Sequence, residues 1–482
     1  MGEPRFSPRG MLLDGEWVGR GEHGTTEVRS PYDGSLVATV PSAGRADVER
    51  AIAAANQALK GGTFPRPDRI ALLEAAARGL AERNEEFATA IAAEAAKPIS
   101  TARIEAARAA DTFAFAAAEC RTYTGEMVPM DATAGGQGKT GYVLRVPIGV
   151  VGAISPFNFP LNLVAHKVAP ALAAGCPVVA KPASQTPVSA LLLADLLVDL
   201  GLPPGWLNVV PGGGATVGDP MVESPDLAYI SFTGSAEVGW GIASRAPRKK
   251  VRLELGSNSP LVVDADGDWE TAARKTAVAG FSHAGQSCIS TQRVFVHDDI
   301  ADDYLDALLP RVEALVVGDP LEDATEVSAL ISEGDTERVA GWLAEAAAAG
   351  AKVLTGGDRE GRCLRPAVVA EVTRDMKLQC EEIFGPVVTV TRFRDFDEAL
   401  AMANDSKFGL QAGVYTRDIG KALKAAATLE YGGVLINEVP TTRVDQQPYG
   451  GVKDSGNTRE GPAYAIEEMT EIRLVTLQAG TR

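Results

Sequence analysis

From Val146 to Phe232 the chain alternates short, wholly apolar runs with longer helix-like stretches, and few folds accept that pattern. Residues 149–154, 177–180, 207–210 and 228–232 read as strands without polar alternation, so each must be covered on both faces. Residues 161–174 read as a helix between the first two. A second helix follows, with Thr186 as its cap, Pro187 in its first turn and Gly201 at its close. The alternation predicts a parallel sheet with helices on both sides, the usual home of a dinucleotide.

The flanking regions differ in character. Residues 49–60, 68–84 and 86–118 are Ala-rich with apolar residues at helical spacing, and Pro98 is expected to break the last stretch. Residues 132–138 read as a turn between two short extended arms within 121–146. A second α/β set follows Glu254, in 301–315, 336–349, 367–372, 387–393 and 396–403, and residues 472–477 alternate like a strand.

A chain of 482 residues can build two or three domains. Its net charge of −17 argues against nucleic acid or an anionic membrane as the main partner. The five cysteines form no CxxC pair, which points away from a disulfide framework or a zinc site and towards a reducing, cytoplasmic compartment. The first residues lack the apolar core of a secretory signal, and the apolar run 168–180 is broken by Pro170, Gly175 and Pro177. No metal is expected.

Five segments carry chemistry. Cys288 ends Phe281-Ser282-His283-Ala284-Gly285-Gln286-Ser287-Cys288, where small residues allow close approach to a ligand. Glu254 lies 34 residues upstream, and a thiol with a carboxylate suggests covalent catalysis through sulfur. Asn158, between two aromatics and two prolines, can donate to an oxyanion or simply make a turn. Phe232-Thr233-Gly234-Ser235 ends a strand and opens a helix whose N–H groups suit a phosphate. Trp240-Gly241 stands where a nucleotide-hydrolysing loop needs Lys-Ser/Thr, so that reading is rejected. Lys181, at a strand end, can reach a ribose or a 2′-phosphate, or be a solvated lysine.

With Pro147–Pro160, Lys181–Pro187, Phe232–Gly239, Leu253–Pro260, Gly285–Cys288, Glu381–Pro386 and Pro448–Gly456 in order along it, the chain resembles the aldehyde dehydrogenase superfamily. The resemblance implies a Rossmann-like NAD(P)-binding domain (1–120 and 147–253) and an α/β catalytic domain (254–440). It also implies a small β oligomerisation element (121–146 and 456–482, with a return segment 441–455). It makes Cys288 the nucleophile, Glu254 the general base and Asn158 the oxyanion donor. Lys181 would hold the adenosine ribose, Glu382 and Phe384 the nicotinamide ribose and ring, and Ser235 would lie near the pyrophosphate. Ile154, Ser155, Pro156, Phe157, Ser184, Gly214, Thr233, Gly234, Val238, Leu255 and Gly256 complete the NAD or NADP site. An aldehyde is then oxidised to the acid through a thiohemiacetal and a thioester. The presence of Glu254 favours hydrolysis over transfer to coenzyme A.

Substrate and cofactor preference rest on finer similarities. Ser184 replaces a glutamate common in NAD-specific members, which leaves room for the 2′-phosphate of NADP. Arg108, Phe159, Ser287 and Arg443 fall at or near substrate positions; Arg443 is the better candidate of the two arginines, and Arg108 reads equally as a surface helix residue. Members acting on phosphorylated aldehydes place arginine just before the nucleophile, where this chain has Ser287. The expected substrate is a short aldehyde carrying a hydroxyl or acid group, with a phosphorylated or phosphonate aldehyde as the alternative. An inert structural role would predict loss of the catalytic set, which is intact, and a thiol hydrolase would have to use His283 as its base. The arms suggest a homodimer or homotetramer.

Overall fold

The computed structural model describes residues 4–62 and 64–478. Three sheets organise the chain, and the apolar runs explain the first two. In the first, five parallel strands lie in the order Lys250–Glu254, Tyr229–Thr233, Val151–Ile154, Val178–Lys181 and Leu207–Val209. The sheet grows outwards from Val151–Ile154, to one side through the next two strands in sequence and to the other through the last two. This reversal creates a crevice at the carboxyl ends of the central strands, where ligands of such sheets bind. Met11–Leu13 and Glu16–Val18, a hairpin ahead of the Ala-rich helices and without a counterpart in the sequence reading, extend the sheet antiparallel beyond Leu207–Val209.

The strands are buried on both faces, as their unbroken apolar runs require. Helices Arg66–Glu82, Asn84–Ala95 and Ile99–Thr122 pack with Asn162–Ala174 and Val188–Asp199 in one apolar core. The chain breaks at Pro98 between the second and third of these helices.

Thr186 is not the cap of helix Val188–Asp199. Its hydroxyl contacts Phe157 O at 3.5 Å, and the first helical N–H groups, of Val188 and Ser189, donate to the buried carboxylate of Glu94 at 2.7 and 2.9 Å. Helix Asn162–Ala174 begins in the same way: Leu161 N and Asn162 N donate to Glu105 Oε1 at 3.0 and 3.1 Å. Glu105 also pairs with the buried Lys97. Two carboxylates from the N-terminal helices thus hold the starts of both crossover helices, the charge sign that a helix N-terminus prefers.

The second sheet runs Lys352–Thr355, Ala367–Ala370, Val387–Phe393, Arg293–His297, Pro260–Val263, Gln411–Tyr415 and Gly433–Ile436. All its pairings are parallel except the first. A third sheet joins Thr470–Gln478, Lys139–Pro147 and Met127–Val128. Within the expected arm 456–482, residues before Thr470 do not extend: helix Pro462–Glu468 buries Ile466 in the first core, and residues 479–482 lie outside the described residues. Among the described residues no helix is long and apolar enough to cross a membrane.

Candidate active site

Four strands of the first sheet end in residues that line one cavity of about 980 Å³: Ile154, Lys181, Thr233 and Glu254. The cavity also takes in Ser155, Pro156, Phe157, Asn158, Ser184, Gly214, Gly234, Ser235, Val238, Leu255, Gly256, Cys288, Glu382 and Phe384. Every residue expected to be catalytic or to hold the cofactor therefore faces the same space.

Cys288 reaches this cavity from the loop before strand Arg293–His297 of the second sheet. Its Sγ lies 2.8 Å from the hydroxyl of Tyr449. Burial pushes the thiol up to about 12, against the pull of the Tyr449 hydrogen bond and the Arg443 charge. Asn158 Nδ2 donates to Gln286 O at 2.9 Å, which ties the asparagine to the loop carrying the cysteine.

Glu254 is buried, and neither carboxylate oxygen has a hydrogen-bond partner. Burial, followed by the nearby Glu460 charge, raises it well above the usual carboxylate range, which favours its protonated form. A Cβ at Gly450 would come within 2.6 Å of Glu254 Oε1, so glycine is required where this loop passes the carboxylate. His283 is buried, and neither ring nitrogen has a hydrogen-bond partner. It makes no hydrogen bond to the thiol, which leaves the hydrolase reading without its base.

The aldehyde dehydrogenase family model matches residues 17–475. The chain belongs to the aldehyde dehydrogenase family. It is 44% identical over 468 residues to the 3-sulfolactaldehyde dehydrogenase of Priestia megaterium, covering 97% of this chain and 98% of that one. It is 39% identical over 472 residues to the lactaldehyde dehydrogenase of Methanococcus aeolicus, covering 96% and 99%. The crystal structure of aldehyde dehydrogenase 21 from Physcomitrella patens, in complex with the reaction product succinate, matches with a TM-score of 0.95 at 40% identity, covering 99% of each chain. Other matching structures hold NADP or NAD+. The protein is thus an oxidoreductase that converts an aldehyde to the acid with NAD or NADP.

The lining of the dehydrogenase's cavity suits such a dinucleotide. Helix Ala236–Arg245 starts at Ser235 without a side-chain cap, leaving its first N–H groups for phosphate oxygens. Lys181 is buried with Pro182 O at 3.2 Å, and burial lowers its ammonium to about 8. Glu382 accepts from Ser257 N at 2.9 Å through Oε1, and burial raises it to about 7. A Cβ at Gly256 would meet that carboxylate at 2.1 Å. Phe384 stands edge-on to Phe157, with ring centroids 5.8 Å apart. Ser184 donates to Gly212 O at 2.9 Å, a contact that places it beside the loop leading to Gly214.

None of the four expected substrate residues lines that cavity. Arg108 is engaged by Asp445 through two bonds of 2.8 and 3.0 Å, so its guanidinium already has a carboxylate partner. Phe159 lies over Lys97, whose ammonium is 3.6 Å from the ring centroid. Ser287 is half-buried beside Cys288. Arg443 stacks on Tyr449 at 3.7 Å from the ring centroid and donates to Glu460 at 3.0 Å. Asp445 also accepts from Asn162 and contacts His166, and His166 lies 3.3 Å from Arg443, so both arginines belong to one buried polar network. Lys167 bonds Thr233, Ser231 and Glu460 at 2.7, 3.1 and 3.2 Å. Tyr449, Asp445, His166, Lys167 and Glu460 are not among the residues expected from the sequence. The dipeptide His166-Lys167 in an apolar helix is the one signal that could have flagged a buried polar cluster.

Proposed function

We propose that this dehydrogenase oxidises a short aldehyde bearing a hydroxyl or acid group, through a thiohemiacetal and a thioester on Cys288. The sulfur attacks the aldehyde carbon. Asn158, with the backbone N–H of Cys288, holds the oxyanion. A bound NAD or NADP would supply the hydride acceptor. Lys181 would hold its adenosine ribose, Glu382 and Phe384 its nicotinamide end, and the start of helix Ala236–Arg245 its pyrophosphate. Glu254 then takes a proton from water, which attacks the thioester and releases the acid.

The observation that carries the substrate class is Arg443. It is a buried cation whose Nε has no hydrogen-bond partner, and Glu460 keeps it over the ring that touches the nucleophile. Relatives named for lactaldehyde and 3-sulfolactaldehyde support a short, hydroxylated or anionic aldehyde. Ser287 argues against phosphate. Reduced-cofactor absorbance with lactaldehyde, succinate semialdehyde, glyceraldehyde 3-phosphate and benzaldehyde tests this, and turnover confined to benzaldehyde would reject it. Ser184 supports acceptance of NADP, and a kcat/KM ratio of about a hundred in favour of NAD would count against that preference. The exposed third sheet supports assembly into a dimer or a dimer of dimers.

A further inference from the structure

We infer that Tyr449 is a further catalytic residue of this dehydrogenase: its phenol O–H donates to the Cys288 sulfur and stabilises the thiolate that attacks the aldehyde. The inference rests on the proposal that Cys288 is the nucleophile, and it assigns a role which that proposal leaves empty. Asn158 is placed for the substrate oxygen, and Glu254 for water. Neither hydrogen-bonds the sulfur, whereas Tyr449 Oη lies 2.8 Å from Sγ.

The surrounding chain holds the phenol in place. Tyr449 and Glu460 pair across an isolated antiparallel bridge, with Tyr449 N donating to Glu460 O at 3.1 Å and Glu460 N donating back. The Glu460 side chain in turn grips Arg443 at 3.0 Å, and Arg443 lies over the Tyr449 ring at 3.7 Å. One short segment, 443–460, thus carries a carboxylate, a cation and a phenol in contact, ending at the sulfur. The ring packs with Ile289 and Leu410, and the residue is 2% exposed, so water does not compete for the hydroxyl.

The charged and titratable groups acting on Cys288 are Tyr449, Arg443, Glu382 and Glu254. The two carboxylates oppose the thiolate, as does burial; the Tyr449 hydrogen bond and the Arg443 charge favour it. Burial, and then the adjacent cysteine, keep the phenol well above its usual range, so Tyr449 retains its proton and serves as a donor. The thiol proton leaves through the cavity to water. A cation over the ring draws density from the phenol and makes its O–H a better donor.

The test follows alkylation of Cys288 by iodoacetamide across pH, by mass spectrometry of its peptide, in the wild-type enzyme and in Tyr449→Phe. The phenylalanine ring preserves the packing and the stack with Arg443. The variant should show a midpoint about one pH unit higher and, near neutrality, a rate about tenfold lower. A residue that only packs would leave the midpoint in place, and an unchanged midpoint overturns the inference. Cys288→Ala separates the two levels. If that variant stays active, the nucleophile assignment falls and the role of Tyr449 with it. If it is inactive while the Tyr449→Phe midpoint is unchanged, the role of Tyr449 alone falls.

Discussion

Asn158, Glu254 and Cys288 come from three separate stretches, yet each has a different electrostatic setting, and those settings predict different losses. Asn158→Ala removes the proposed oxyanion donor and should lower kcat by about 10²–10³-fold in steady-state assays. Glu254→Gln removes the proposed base but keeps the shape. The first turnover of cofactor reduction should survive as a burst, while steady turnover falls by about 10²–10⁴-fold. Burial and the Glu460 charge raise Glu254, and the base must be ionised to work. Deacylation should therefore slow as pH falls, with a midpoint above the ordinary carboxylate value of about 4.5. Rapid-quench measurement of thioester decay across pH checks both statements. Glu460 shows how context reverses the sign: although burial pushes it up, Lys167 and Arg443 pull it down to about 2.

At the scale of elements, the two crossover helices after the site loops both start on buried glutamates. Glu94 is the cleaner test. Burial raises it to about 7 despite its bonds to Ser189 and Val188. A carboxyl raised on folding contributes stability that is fully present below its unfolded value and is lost as pH rises through the folded one. Stability from this group should thus decline between about pH 4.5 and about pH 7, by at most about 3 kcal/mol. Glu94→Gln should flatten that decline, read as the difference in urea midpoints at about pH 5 and about pH 7.5. This cap was invisible in the sequence because its partners are 94 and 95 residues apart, whereas Thr186 sits where a local cap would. The strand ends were legible for the opposite reason: continuous apolar runs mark buried parallel strands without any knowledge of neighbours. The lining residues Lys181 and Thr233 follow from where those runs stop. Arg443 was legible as a cation near the site, but not its stacking on Tyr449, which depends on a loop folding back. Arg108 reads as a substrate residue or a surface helix residue, whereas Asp445, 337 residues away, holds its guanidinium.

Across the whole molecule, the third sheet has an edge strand, Thr470–Gln478, whose side chains are mostly exposed. Ile472 and Leu474 project from the same face and are 62% and 55% exposed. Such an edge calls for a cover, and a second copy of the chain is the proposed one. Ile472→Lys combined with Leu474→Lys should shift sedimentation to a smaller species, with the spectroscopic signature of the fold retained. An unchanged sedimentation coefficient would place the interface elsewhere.

The loop bearing Tyr449 and Glu460 also sets a timetable. Both seven-stranded sheets are complete in sequence by Ile436, whereas the groups that touch the sulfur and flank Glu254 are translated after them, within residues 443–460. A nascent chain can therefore fold most of its mass while its cysteine still lacks its phenol partner. The cysteine meets that partner only once residues 443–460 have been made and have folded back across the molecule.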